Sequence, residues 1–364
     1  MAQVRRRDEA RESGEGGIRT PERGQPPLRD FQSRPFNHSG TSPGRPSVAV
    51  GKRPGQSKST GPAPKGGKGS DGGGPTLLLS IDFEDWHQLV RRRVGCSDWE
   101  RPGPALSRQT DALLALLDEL KLRATFFILG MAARAHPGLI EGLAARGHEI
   151  GCHGDRHLPV HSQSPGEFAS DLRAARATIE QLTGRVPIGY RAPAFSITGT
   201  SDWAYDVLAA EGFAYDASAH DTPSLRDRPQ AAKGAPHPLE LPTGQTLWEF
   251  PVAVWHARLG GVPIGGASYW AVLPSTLVLR GLERAGPLAG LYVHPHELDP
   301  QPLRPQLGGG AQLKARLHAS ARAVQRNSAR RRAPAMLRAI ARRFRLIPYG
   351  DAHAQLSGAG GTAA

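Results

Sequence analysis

Two imidazoles, His153 and His157, stand four residues apart in His148-Glu149-Ile150-Gly151-Cys152-His153-Gly154-Asp155-Arg156-His157. A carboxylate cluster, Asp82-Phe83-Glu84-Asp85, precedes them by about seventy residues. Histidines at i and i+4 share one face of a helical turn, so both rings can reach one divalent ion. With a third ligand from a distant strand and one open position for water, such a site does hydrolysis.

The elements that must position these groups alternate. Thr76-Leu77-Leu78-Leu79-Ser80-Ile81-Asp82 reads as a buried strand ending in acids, and Thr110–Leu120 as a helix leading into a strand at Ala124–Gly130. Further helices are expected near 137–146, 165–183, 201–211 and 274–285. Strands are expected at Glu149-Ile150, into Gly189-Tyr190-Arg191, at 247–252 and at Gly290–His294. This alternation implies an α/β fold with a parallel sheet, open or closed into a barrel. In parallel barrels functional groups gather at carboxyl ends of strands, where Asp82, His153, Arg191, Glu249 and His294 all fall.

The 364 residues carry a formal charge of +13, unevenly spread. Residues 1–75 hold 14 Lys/Arg against 7 acids, and residues 311–345 hold 11 against none, leaving the body near −5. Specific nucleic-acid binding is therefore not expected of the body, although the basic ends could touch RNA, anionic lipid or anionic polysaccharide. Residues 1–74 are Gly/Pro/Arg-rich and too poor in apolar periodicity to fold, so a disordered tail is expected. A domain over 75–310 follows, then a basic helical appendage over 311–350, split in two by Pro334, and a flexible tail over 351–364. Cys96 and Cys152 form no disulfide framework. No apolar run approaches a membrane span and no signal peptide is recognised, so a cytoplasmic or membrane-peripheral location is expected.

Across roughly residues 76–350, these segments resemble the NodB-homology polysaccharide deacetylases, carbohydrate esterase family 4, and within it the exopolysaccharide subgroup associated with exosortase systems. The resemblance implies a distorted (β/α) barrel. It also implies removal of N-acetyl groups from N-acetylhexosamine units of a polysaccharide with a divalent metal, most simply Zn2+, and an exopolysaccharide assembly machinery as partner. Ser80-Ile81-Asp82-Phe83-Glu84-Asp85-Trp86 resembles the first motif, with Asp82 as base and Asp85 as third metal ligand; strand alternation makes Glu84 the rival. His153 and His157 match the ligand pair. Arg191-Ala192-Pro193-Ala194-Phe195 resembles the motif whose arginine orients the base; Phe195 stands at the family's glycine and reshapes the groove wall. Tyr292-Val293-His294 implies His294 as general acid, continuing into Pro295-His296-Glu297-Leu298-Asp299 as the subgroup's signature. For the acid that tunes this histidine the candidate is Glu249, with Asp216 behind it. Tyr269 or Trp270 offers either a sugar platform or core packing; His136, His148, His161 and His220 are read as structural. Two competing readings are an allantoinase-like or other amide hydrolase, and a non-catalytic polysaccharide-binding protein.

Overall fold

The apolar run after Pro75 forms strand β1 (Thr76–Phe83), whose two faces enter different cores. Leu77, Leu79, Ile81 and Phe83 join a large cluster shared with the surrounding helices, whereas Leu78 joins Phe127, Tyr215, Phe250 and Tyr349. Two-residue alternation places Ser80 and Asp82 on the side of Leu78, the inside of a curled sheet.

In the computed structural model, residues 74–220, 234–257, 260–307 and 312–358 are described; the tail expected over 1–74 lies, apart from Gly74, outside them. After β1 come α1 (Trp86–Arg93), α2 (Leu106–Glu119), β2 (Thr125–Ile128), α3 (Gly130–Ala135), α4 (Pro137–Ala145), β3 (Glu149–Cys152), α5 (Pro165–Thr183), β4 (Gly189–Tyr190), α6 (Trp203–Ala210) and β5 (Tyr215–Asp216). The second part holds β6 (His237–Glu240), β7 (Thr246–Glu249), β8 (Val254–Ala257), β9 (Gly260–Pro263), α7 (Ala267–Trp270), α8 (Ser275–Arg284) and β10 (Gly290–Val293). It ends with α9 (Pro295–Leu298), α10 (Leu313–Arg330), α11 (Ala333–Ala341), β11 (Arg345–Ile347) and α12 (Tyr349–Gly358). Helix α5 shows how local signals set bounds: Ser164 and Glu167 form a capping box, Pro165 opens the first turn, and Gly184 closes it at φ 66°.

The sheet runs β10-β1-β2-β3-β4-β5-β7-β6, with β11 also paired to β1. Its pairs are parallel except β6 with β7. Beyond β7, Val252 bridges in parallel to Gly290 at the start of β10. With a second parallel bridge from Gly266 to Tyr292, the curled half-barrel meets β10 through isolated bridges rather than a full ladder, the distorted barrel that the family resemblance implies. Gly189 and Gly290 lack side chains where the Tyr215 ring and the Tyr349 hydroxyl press against the backbone, so aromatic rings fill the inside.

The C-terminal region differs from expectation. Pro334 does separate two helices, α10 and α11, by sitting in the first turn of the second. They are no appendage, however: Ala319 and Ala323 of α10 pack on Trp86 and Val90 of α1, and β11 pairs with Thr76–Leu78. Nor is 351–364 wholly a tail, because α12 runs to Gly358 and buries Tyr349 and Ala352 in the inner cluster; 359–364 lie outside the described residues. Apolar burial at Ile347, Tyr349 and Ala352 is what ties this segment down.

Candidate active site

Asp82, near the end of β1, accepts a hydrogen bond at Oδ1 from Arg191 Nη1 at 2.8 Å. Arg191 follows β4 and is fully buried, and its nitrogens are all engaged: Nη1 also donates to Ser80 Oγ (2.5 Å), Nη2 to the Tyr349 hydroxyl (2.9 Å) and Nε to the Ala217 carbonyl (2.9 Å). Burial opposes the charge of this guanidinium, but Asp82 and Tyr349 more than offset it and hold its pKa above the usual arginine range. The result is a carboxylate fixed by a charge-assisted bond, with Oδ2 left for other work.

Glu84 continues the alternation of Ser80 and Asp82 and lies beside His157, with Oε2 to Nε2 at 3.0 Å. Its other oxygen stands 3.4 Å from His294 Nε2. Burial would raise the Glu84 pKa, yet His294, His157 and His153 together pull it well below the usual carboxylate range. Among the described residues, ligand atoms of Glu84, His153 and His157 lie within 4.8 Å of one another. His153 Nδ1 hydrogen-bonds the Arg191 carbonyl at 2.8 Å, and burial pushes its imidazole down to about 4. That leaves a neutral ring with Nε2 as the free donor, the arrangement typical of metal-ligating histidines. One carboxylate and two imidazoles suit a divalent cation of the zinc kind.

Two expectations about this cluster are corrected. The histidines do not share a helical turn: residues 153–157 are a loop after β3, and the rings meet at 5.4 Å between centroids because Gly154 (φ +78°) and His157 (φ +54°) take left-handed backbone. Asp85 is not placed with them. Its Oδ1 caps α1 by accepting from His87 N (2.8 Å) and its Oδ2 accepts from Gly103 N (2.5 Å), so both oxygens are already used.

On the opposite wall, His294 N-caps α9 and its Nδ1 meets Glu297 Oε2 at 3.0 Å, while its backbone N–H donates to the same oxygen at 2.8 Å. Glu297 in turn accepts from Ser268 Oγ at 2.6 Å and lies 3.8 Å from Arg326 of α10. Burial lowers the His294 pKa, but Glu297 and Glu84 more than offset it and push the ring up to about 9. Glu249 does not play this part. It ends β7, receives the Ala219 N–H at 3.0 Å and shares a buried carboxyl pair with Asp216, which itself accepts from Ser218. The imidazole partner is thus Glu297, whose sequence signal is a glutamate at the third position of a proline-started helical turn.

Trp270 resolves to the core side of its two readings: it is fully buried and its indole N–H donates to the Ile264 carbonyl. Phe195 is 9% exposed at φ +53°, where glycine would be unstrained, and its ring packs on Tyr292 at 4.9 Å. Cys152 is a buried free thiol that burial pushes up to about 12, which fits a packing role.

Asp82, Glu84, His153, His157, His294 and His296 line one cleft. Residues 102–212 match the family described as polysaccharide deacetylase, and residues 217–350 match a domain of unknown function, DUF3473. The chain is 29% identical over 148 residues to a peptidoglycan deacetylase-like protein, FGM2, of Gibberella zeae, covering 39% of this chain and 43% of that protein. It is 32% identical over 119 residues to a chitooligosaccharide deacetylase of Bradyrhizobium sp., covering 32% of this chain and 52% of that protein. The chain thus spans about half the length of these relatives or less. Its fold is that of a crystal structure of a putative polysaccharide deacetylase from Mycobacterium smegmatis, with a TM-score of 0.56 and 18% identity over 80% of this chain and 93% of that one. The chain thus carries a segment, residues 102–212, that matches the polysaccharide deacetylase family, followed by one, residues 217–350, that matches DUF3473, on a fold shared with a putative polysaccharide deacetylase.

Proposed function

We propose that the protein is a metal-dependent hydrolase that removes N-acetyl groups from hexosamine units of a polysaccharide, in the setting of exopolysaccharide formation. The observation that carries this reading is the pairing of Asp82–Arg191 and His294–Glu297 across one cleft, with Glu84, His153 and His157 between them. Glu84, His153 and His157 would hold the cation, Zn2+ being the ion their donor set suits best. Bound there, a divalent ion polarises an acyl oxygen and acidifies a water.

The remaining work falls to the chain. An amide resists hydrolysis because its carbonyl is weakly electrophilic and its amine leaves only once protonated. Asp82 Oδ2 takes the proton of the attacking water, while Arg191 holds the carboxylate aimed through a charge-assisted bond to Oδ1. His294, with Nδ1 held by Glu297, presents Nε2 to the cleft and delivers a proton to the sugar nitrogen as the C–N bond breaks. Acetate and a free amino sugar result. Incubating purified protein with N-acetylglucosamine oligomers and native exopolysaccharide, with and without chelator, and measuring acetate tests this directly. Chelator-sensitive acetate release is expected; none from any N-acetylated glycan in the presence of Zn2+ overturns the reading.

A further inference from the structure

Helix α10 packs against α7 and α9 and places Ala319 and Ala323 in one apolar cluster with Trp86 and Val90 of α1 and Leu303. Its residues His318, Arg322 and Arg326 follow one another at intervals of four, hence along one face, and all three line the cleft. Arg92 and Arg93 of α1 line it as well, beside the apolar Trp86 and Leu89. Arg92 spends its Nη1 on two backbone carbonyls, those of Arg156 and His157, so this bond brings it no carboxylate. Burial and then Arg322, Arg93 and Lys314 push the His318 imidazole down, a sign that positive charge is crowded here.

Among the described residues lining the cleft, the only carboxylates are Asp82 and Glu84. Both sit at its floor, one against Arg191 and the other among histidines. Among the described residues, Arg92, Arg93, Arg322 and Arg326 thus outnumber the acids that line the cleft, with Glu297 set behind Arg326. Cations concentrated in a groove with low-dielectric walls focus a positive potential on whatever enters. A second observation points the same way. His296 is 2% exposed, lines the same cleft, and has no hydrogen-bond partner on either ring nitrogen. A buried polar ring with both nitrogens unsatisfied is costly, and a ligand that hydrogen-bonds it removes the cost.

We infer that α10 and α1 form an anion-binding wall of the cleft, so that the glycan it takes carries acidic groups, carboxylate or phosphate, close to the N-acetylated unit, with His296 bonding the sugar between. This rests on the deacetylase reading for what happens at the floor, but the wall is a binding claim that can be tested without turnover. Trp86 and Leu89 give a sugar face something apolar to lie on, while Arg322 and Arg326 reach its acidic substituents.

Calorimetric binding to the full-length, Zn2+-loaded chain tests it with three probes of equal length. One is a neutral N-acetylglucosamine oligomer, one alternates glucuronate with N-acetylglucosamine, and one bears phosphate. An acidic probe is expected to bind at least about tenfold more tightly than the neutral one, the size of one charge-assisted hydrogen bond. The gap should close between about 0.05 and about 0.5 M salt, as screening requires. The two acidic arms tell carboxylate from phosphate recognition. Arg322→Gln should narrow the gap and Arg322→Lys largely restore it, which separates charge from a folding defect. Equal affinity for neutral and acidic probes at low salt overturns the inference. Acetate release followed on the same probes reports separately on the deacetylase reading: if none appears, that reading falls while the affinity comparison still decides this one.

Discussion

The part of the chain up to Asp216 and the part after it build opposite walls of the same cleft by different means. The first supplies Asp82, Glu84, His153, His157 and Arg191 from the ends of parallel strands β1, β3 and β4 or the residues that follow them, in one ladder in which β2 joins β1 to β3. The second, which coincides with DUF3473, supplies His294 from the end of β10, which is paired with β1, Glu297 from the four-residue helix that follows, and Arg322 and Arg326 from α10. Strand ends hold chemistry rigidly; short helices and packed helix faces are easier to vary without unmaking the sheet. Turnover is expected to be most fragile on the first wall, and on the inference above the choice of glycan should respond to Arg322 and Arg326 of the second together with α1 of the first.

The most severe test of that contrast is Asp82→Asn, expected to lower turnover by about 10²–10⁴-fold with metal content retained, as read by acetate release and elemental analysis. Glu84→Gln should instead strip the metal, exceeding the roughly 10–100-fold loss typical of a mere supporting contact. Asp85→Ala is its control. Metal should stay, and the lost cap should cost about 0.5–2 kcal/mol of stability in urea unfolding. On the other wall, Glu297→Ala frees the His294 ring and is expected to slow turnover by up to about 100-fold through misplacement alone, without loss of metal; loss of metal would erase the division between the walls. Tyr349→Phe leaves one N–H of buried Arg191 unsatisfied and should cost about 1–3 kcal/mol of stability. The smallest effect is expected at Glu249, which serves neither wall. Burial and Asp216 raise its pKa well above 4.5, so the folded state holds a proton that the unfolded chain releases. The wild type must then lose stability as pH rises from about 4.5 through the folded value. Glu249→Gln should flatten that loss in unfolding measured across pH, while leaving turnover near wild type.

Much of the first wall is legible in sequence because it is local. Alternation along Ser80-Ile81-Asp82-Phe83-Glu84 puts three polar groups on one side, and that same rule favours Glu84 over Asp85. Asp85 looks like a ligand only until the following Trp86–Arg93 segment is seen as a helix in need of a cap. The histidine pair is visible by spacing, but its loop geometry is not, since positive φ at His157 is decided by the strand before it and the turn after it. Glu249 misleads because a strand end predicts direction, not partner: its carboxyl meets Ala219 and Asp216, and His294 is served by a residue three positions away. The bond from Arg191 to Tyr349 spans 158 residues and leaves no periodic trace. The basic stretch reads as an appendage because arginines dominate it; the alanines that seat it, Ala319 and Ala323, are silent in a charge count.

The hydroxyl of Tyr349 resting on Arg191 has a bearing on how the protein is made. A ribosome delivers the chain from its N-terminus, and domains ordinarily fold as they emerge. Here the strands that carry Asp82 and Arg191 emerge early, yet β11 and Tyr349, which complete the pairing of β1 and the support of Arg191, emerge more than 150 residues after Arg191. A nascent chain halted before Arg345 would hold a buried guanidinium short of a partner and β1 short of a neighbour along Thr76–Leu78. Competence of the candidate site should consequently appear only once β11 and Tyr349 have emerged, and truncation before Arg345 should damage a site whose candidate metal ligands lie more than 180 residues upstream.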